Sequence, residues 1–377
     1  MKARNVKAIA RKETLHLMRD FRSLYLAFFI PLLLILLFGY ALSLDVEHIP
    51  TAVVDQERTA ESRDFIRRLS ASAYFDLVAF PRSAAELTEL LDANRVTLGV
   101  VIPPGFTAEL KAGRPAAIQV LIDGSDPNYA GNTRAFITAL ISQENERLLV
   151  DFLNRQGRER IEAPVEGRVR VWFNEDLESR NFIVPGIIAI IIMIVGALLT
   201  SLVIAREYEN GTMETIRVLP VQGVEFFLGK AAPYFLIALV DVLVAMFMGQ
   251  ALFGVVMKSS FWLMIAASTL YIWVALSIGL LISVKTKAQL VANQLAVLIT
   301  YLPSLLLSDF VFPQQNMPVV LQAVSRIVPA TYYIDILNGL YLRNLSLPGL
   351  WTDFLVLGLM AAGLSALNIA ALKKEGL

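Results

Sequence analysis

The chain has 377 residues, with 33 basic side chains balanced by 33 acidic ones, and no cysteine. With 56% hydrophobic residues against 18% charged it is too apolar for a soluble domain, and it holds several runs long enough to cross a bilayer core of about 30 Å. No nucleic-acid face follows from this charge balance, and the lack of cysteine excludes disulfides, thiolate catalysis and cysteine-based metal centres.

Residues 1–23 carry Lys2, Arg4, Lys7, Arg11, Lys12, Arg19 and Arg22 against Glu13 and Asp20, and place Val6, Ile9, Ala10, Leu17 and Phe21 near one helical face. That pattern predicts a basic amphipathic helix on the cytoplasmic surface. Residues 24–44 are uncharged and longer than a signal-peptide core, which predicts a first membrane span. The alternative is a cleaved signal ending at Ala41-Leu42-Ser43.

Residues 45–181 are the one long hydrophilic segment, and they alternate short β-branched runs with helical ones, as an inserted α/β domain does. Strands are expected at 51–54, 98–102 and 118–122, and helices at 59–69, 83–91, 104–111 and 132–155. Asp123-Gly124-Ser125-Asp126-Pro127-Asn128 invites a calcium-loop reading, but it lacks the closing glutamate of an EF-hand and reads as a plain turn.

Five more apolar runs follow within 182–377, at 182–205, 231–256, 262–284, 288–307 and 351–372. Basic residues near span ends set orientation. The N-terminal cluster, Arg206 with Arg217, Lys285 with Lys287, and Lys373 with Lys374 fall on one side only if there are six spans. The expected fold is therefore an α-helical polytopic membrane protein of six transmembrane helices, both termini cytoplasmic, with the α/β domain extracytoplasmic. Residues 308–348 contain Phe312, Pro313, Met317, Pro318 and Pro329 and are too apolar for an open loop. Re-entrant or interfacial helices between the last two spans are expected there.

The charged island at 206–220 lies between the second and third spans. Asn210-Gly211 stops a helix, and Thr212 can N-cap a short second helix whose Glu214 faces the positive end of its dipole. A short polar helix between two spans can be gripped by a partner and move the spans; the alternative is a solvated loop. No Walker A sequence is present, since the segment around Gly223 and Gly229-Lys230 has the wrong glycine spacing and no Ser or Thr after the lysine. His16 and His48 are expected on opposite sides of the membrane and cannot form one centre. Asp241 sits inside the third span, where an ionised carboxylate costs several kcal/mol unless it is paired or faces water. It is a structural hydrogen-bond partner or part of a proton or cation relay.

Several patterns resemble one family: Lys12-Glu13 and Arg19-Asp20, Gly99-Val100-Val101-Ile102-Pro103-Pro104-Gly105-Phe106, the 123–128 turn, Arg206-Glu207-Tyr208-Glu209-Asn210-Gly211-Thr212-Met213-Glu214, Phe312-Pro313 with Met317-Pro318, and Pro329-Ala330-Thr331-Tyr332-Tyr333. Nearly end to end, the chain resembles the membrane subunit of bacterial ABC exporters of the type-2 superfamily, in the branch with a large extracytoplasmic domain between spans one and two. The resemblance implies an inner-membrane permease, not itself an enzyme, for hydrophobic or amphiphilic substrates. It implies two permease chains, identical or paralogous, with two ATP-binding cassette subunits that hold the ATP and magnesium; a periplasmic adaptor is compatible with this branch. Arg206, Glu207, Glu209, Gly211, Thr212 and Glu214 would then couple to the ATPase. Asp241, Asp309, Phe312, Pro313, Met317, Pro318 and Tyr332 would belong to the translocation path or outer gate. One departure is Asp309, which stands in Ser308-Asp309-Phe310 where such permeases usually show glycine. Two rival functions are a proton- or sodium-coupled secondary transporter built on Asp241 and a membrane-anchored sensor. The first lacks paired interrupted repeats and the second a cytoplasmic output domain.

Overall fold

The computed structural model describes residues 2–41, 48–155, 173–174 and 178–377. The expected domain start at 45 and the stretches 156–172 and 175–177 lie outside the described residues. The chain divides into two compact units, Met1–Ser43 with Val171–Leu377, and Leu44–Arg170.

In chain order the elements are α1 (Ala3–Arg19), α2 (Phe21–Ala41), β1 (Ile49–Asp55), α3 (Ala60–Ala71), β2 (Phe75–Ala79), α4 (Ala84–Asp92), β3 (Leu98–Ile102), α5 (Phe106–Lys111), β4 (Gln119–Ile122) and α6 (Pro127–Arg155). They continue with α7 (Arg180–Glu209), α8 (Thr212–Arg217), α9 (Gly223–Phe253), α10 (Phe261–Thr286), α11 (Gln289–Ala296), α12 (Leu302–Leu306), α13 (Val319–Ser325), α14 (Pro329–Tyr341) and α15 (Leu347–Lys374). A π-helical turn, Val297–Tyr301, joins α11 to α12. Pro303 lies two residues past it; proline donates no amide hydrogen bond and crowds the carbonyl four residues earlier, within the turn, which accounts for the widening.

The smaller unit is an α/β sandwich around a four-stranded sheet of order β2-β1-β3-β4, in which β1 runs parallel to β2 and β3 while β4 is antiparallel to β3. Strand alternation sends Val53, Leu98 and Val100 into a core with Phe65, Leu69 and Phe106, and sends Ala52, Val54 and Val101 to the other face against Leu87. Asp123 and Asp126 accept the amides of Ser125 and Tyr129, so the acidic turn spends those carboxylates on its own backbone and on the start of α6. Strand β2 was not among the expected strands. It is an edge strand whose alternation of buried Phe75 with exposed Asp76 and Val78 spans five residues, too short to stand out between two helices.

In the larger unit α7 is the central helix, an Ile/Val-rich rod buried along nearly its whole length. Helix α10 packs closest to it: a Cβ on Gly279 would sit 2.4 Å from the Ala197 carbonyl oxygen, so only hydrogen lets the backbones approach. Hydrogen bonds tie neighbouring helices together at several buried points. The Tyr271 hydroxyl donates to the Ala189 carbonyl at 2.9 Å, Ser283 Oγ accepts the Ile204 and Ala205 amides, and Asn368 donates to the Ser277 carbonyl at 2.8 Å. Among the described residues, α7, α9, α10, the segment Gln289–Leu306 and α15 are long and apolar enough to cross a membrane, which makes the chain a polytopic membrane protein. The count is five against an expected six. The sixth, α2, is described as apolar over Phe28–Tyr40, and residues 42–44 of that run lie outside the described residues. Residues 308–348 hold α13, α14 and a single 3-10 turn, Gln314–Asn316.

Candidate functional site

Helix α7 runs past its apolar part and carries Arg206, Glu207 and Glu209 in its last turn. It ends at Asn210; Gly211 follows with φ +70°, the left-handed region that glycine alone enters cheaply, and a Cβ there would meet nothing within 4 Å. Thr212 does not cap α8 as the sequence suggests. The position before α8 is taken by Gly211, so the Thr212 hydroxyl points back across the turn and donates to the Glu207 carboxylate.

Glu207 is buried and is the hub of an ion cluster. Its Oε1 lies 2.6 Å from Lys230 Nζ and 2.8 Å from Lys12 Nζ. Lys230, also buried, reaches Glu13 Oε2 at 2.6 Å, and the Tyr234 hydroxyl donates to Glu13 Oε1 at 2.9 Å. Next to it Arg206 pairs with Asp20 at 3.2 Å. Lys12 and Glu13 of α1, and Asp20 just past it, therefore close onto the foot of α7 and onto α9. Farther along, buried Glu225 accepts from the Asn5 side chain at 2.7 Å and from the Lys2 amide.

The remaining charges of the island divide sharply. Glu209 accepts the Gln289 amide at 2.7 Å and so caps α11. Arg217 and Lys287 both reach Glu375, at 2.9 and 2.8 Å, while the Tyr208 hydroxyl donates to the same carboxylate at 2.8 Å. Those two hydrogen bonds, from Lys287 first and Tyr208 second, hold the Glu375 carboxyl below its ordinary range. Glu214 is different: it is exposed and makes no hydrogen bond or ion pair among the described residues. Val218 is 81% exposed and Leu219 is 50% exposed beside it. Met213 is buried underneath and Ile216 is half-buried against the same core, so α8 is anchored by two apolar side chains while Glu214 faces outward.

The residues expected to line a path or gate fall into two places. Asp241 lines a small cavity with Pro31 of α2, residues of α7, and Ala238 and Ala245 of α9. Asp309, Phe312, Pro313, Met317, Pro318 and Tyr332 contribute nothing to that cavity. Instead, Asp309 has φ +69° and its Oδ1 accepts the Gln314 amide at 2.6 Å; Gln314 donates to Ser325 Oγ, which donates to the Leu307 carbonyl. The Tyr332 hydroxyl donates to the Arg326 carbonyl at 2.7 Å. Phe312, Pro313 and Pro318 are exposed and Met317 is half-buried.

Residues 21–370 match the model of the ABC-2 family transporter proteins. The chain belongs to the ABC-2 transporter family. Among its relatives, the probable multidrug ABC transporter permease YbhS of Escherichia coli K12 is 34% identical over 342 residues, covering 90% of this chain and 89% of that protein. The probable multidrug ABC transporter permease YbhR of the same strain is 28% identical over 345 residues, 92% of each. The inner membrane transport permease YhhJ is 28% identical over 329 residues, 86% of this chain and 84% of its own length. In this ABC-2 chain Asp309 occupies a left-handed position that glycine would satisfy without strain. The amide bond to Gln314 is what makes an aspartate tolerable there.

Lys230 and Glu13 were missed as functional residues in the sequence. The available signal was Lys230 itself, a lone cation in Phe226-Phe227-Leu228-Gly229-Lys230-Ala231-Ala232, which in an apolar surrounding requires a buried carboxylate.

Proposed function

We propose that this chain is the permease subunit of an ATP-binding-cassette exporter in a bacterial inner membrane, moving hydrophobic or amphiphilic molecules out of the bilayer or cytoplasm. It crosses the lipid six times with both termini cytoplasmic and carries residues 45–181 as an extracytoplasmic α/β domain. Two such chains, identical or paralogous, form the path, and two ATP-binding subunits bind ATP and magnesium. Residues 308–348 form the outer gate. The observation that carries the reading is the foot of α7: of the six island residues singled out, Arg206, Glu207, Glu209 and Thr212 are bonded inside the chain and Gly211 makes the turn, while Glu214 on α8 and Val218 and Leu219 just past it are exposed. Names given to the relatives, multidrug ABC transporter permease and inner membrane transport permease, support the same role.

The test compares Glu214→Arg with wild type in a reconstituted permease–ATPase complex. Glu214 is exposed, so the change should leave folding within about 1 kcal/mol. A docked charge pair with one partner reversed should lose about 2–5 kcal/mol of subunit affinity, and transport-coupled ATP hydrolysis with it. Wild-type subunit binding and wild-type coupled hydrolysis in Glu214→Arg would overturn α8 as the docking element.

A further inference from the structure

Asp241 lies ten residues into the apolar run that begins at Ala231. At 1.5 Å per residue that is about 15 Å along α9, near the middle of a bilayer core about 30 Å thick. Its side chain is buried, at 8% exposure, and Oδ2 has no hydrogen-bond partner among the described residues. The carboxylate lines a cavity of about 10 Å³ between α2, α7 and α9, walled by Pro31, Ile188, Ile192, Gly196, Ala238 and Ala245. No basic residue lines it. The contrast with Lys230 is direct: that cation has two carboxylates at 2.6 Å, whereas this carboxylate has no cation among the described residues.

A carboxylate in an apolar cavity is costly until a proton or a cationic donor reaches it. The cavity admits about one water-sized group, so the part that fits is small. A protonated amine presents an N–H tip of that size and forms a charge-assisted hydrogen bond with a free carboxylate oxygen. A quaternary ammonium of equal charge is wrapped in carbon and has no N–H to donate. The apolar walls suit a hydrocarbon body behind the amine and repel anions.

We propose that Asp241 is a specificity-determining residue that receives the protonated amine of a lipophilic substrate. The inference rests on the exporter reading and names the substrate class of that permease. Gly196, Ala238 and Ala245 keep the space at the carboxylate open.

The experiment measures equilibrium binding of a fluorescent lipophilic tertiary amine at pH 7 to the purified full-length chain, beside its N-methylated quaternary analogue and a neutral analogue with carbon in place of nitrogen. Asp241→Asn preserves side-chain volume. It should weaken the tertiary amine by about 10- to 100-fold, the range of a charge-assisted hydrogen bond, and leave the other two probes within about 2-fold. Their binding serves as the folding control. Unchanged affinity for the tertiary amine, or an equal loss for all three probes, overturns the proposal. Adding the ATP-binding subunit in proteoliposomes separates the two readings: amine binding by wild type without ATP-dependent export would overturn the exporter and leave the amine site, whereas export of all three probes unaffected by Asp241→Asn would overturn the amine site and leave the exporter.

Discussion

Replacing Lys230 by methionine keeps the side chain's length and removes the charge on which two buried carboxylates converge. The side chains of Lys230, Glu13 and Glu207 are only 2%, 5% and 9% exposed, and both ion pairs are 2.6 Å long. Stranding a buried charge by removing its partner costs about 3–5 kcal/mol. Glu13 keeps one other donor, Tyr234, and Glu207 keeps two, the Thr212 hydroxyl and Lys12, itself 44% exposed. The cost therefore falls at the lower end, about 3 kcal/mol, and most of it is borne by Glu13, whose remaining donor is neutral. Because the cluster ties α1 to α7 and α9, the readout is the undocking of α1. A Leu17→Cys substitution buries the sole thiol of the chain on that helix, where Leu17 is 4% exposed. Thiol labelling through local opening should rise by about 100-fold on adding Lys230→Met, since 1.36 kcal/mol is a factor of ten. Adding Glu13→Gln as well removes the stranded charge and should recover most of the protection. Labelling that rises less than about 3-fold, or a double variant no better protected than Lys230→Met, would refute the cluster as what holds α1 in place.

Gly279→Ala should lower the thermal midpoint of the detergent-solubilised permease, because the new Cβ would lie 2.1 Å from Thr200 Oγ1 and 2.4 Å from a backbone carbonyl oxygen that cannot turn away. Overpacking of this kind costs about 1–3 kcal/mol, whereas Gly358→Ala, with nothing within 4 Å of its Cβ, should be neutral or stabilising; equal midpoints would contradict the close α7–α10 approach. A depressed folded pKa means that the contribution of Glu375 is complete above the unfolded value near 4.3 and is lost as pH falls toward the lower folded value. Exchange of the Gly376 and Leu377 amides, corrected for its intrinsic pH dependence, should accelerate below about pH 4 in wild type and stay fast at every pH in Glu375→Gln; parallel profiles would remove Glu375 as the C-terminal tether.

Long, strongly apolar runs were legible because their signal does not depend on neighbours. The runs at 182–205, 262–284 and 351–372 each sit inside a helix, α7, α10 and α15, that extends a few residues beyond them. Extension was not legible, since the residues that lengthen α7 are charged and are held there by Lys12, Lys230 and the Gln289 amide, which donate to Glu207 and Glu209. Helix α9 begins at Gly223 for the same reason: buried Glu225 bonds back to the Gln222 amide and to Asn5, more than two hundred residues away in sequence. Local chemistry placed the turn at Asn210-Gly211 correctly and misassigned Thr212, because a hydroxyl offered both a helix amide and a nearby carboxylate takes the charged acceptor. In the smaller unit the central strands β1 and β3 were visible as continuous β-branched runs, and the edge strand β2 was not.

Partner contact and chain-internal support compete for the same charged residues at the foot of α7, and the geometry decides between them. A free hinge at Gly211 would let α8 swing without moving α7. The Thr212 hydroxyl, bonded to Glu207 across that glycine, opposes such a swing, and Met213 is packed beneath the helix. A load applied through Glu214, Val218 and Leu219 is therefore delivered to Glu207, and from there through Lys230 and Lys12 to α9 and α1. Burial makes this link stiff: a charge pair in a dry site cannot trade its partner for water as a surface pair does. Glutamate at 207 and glutamate at 214 thus stand in opposite settings on one short stretch, the first bonded inside the chain and the second exposed, and it is burial rather than residue type that separates them.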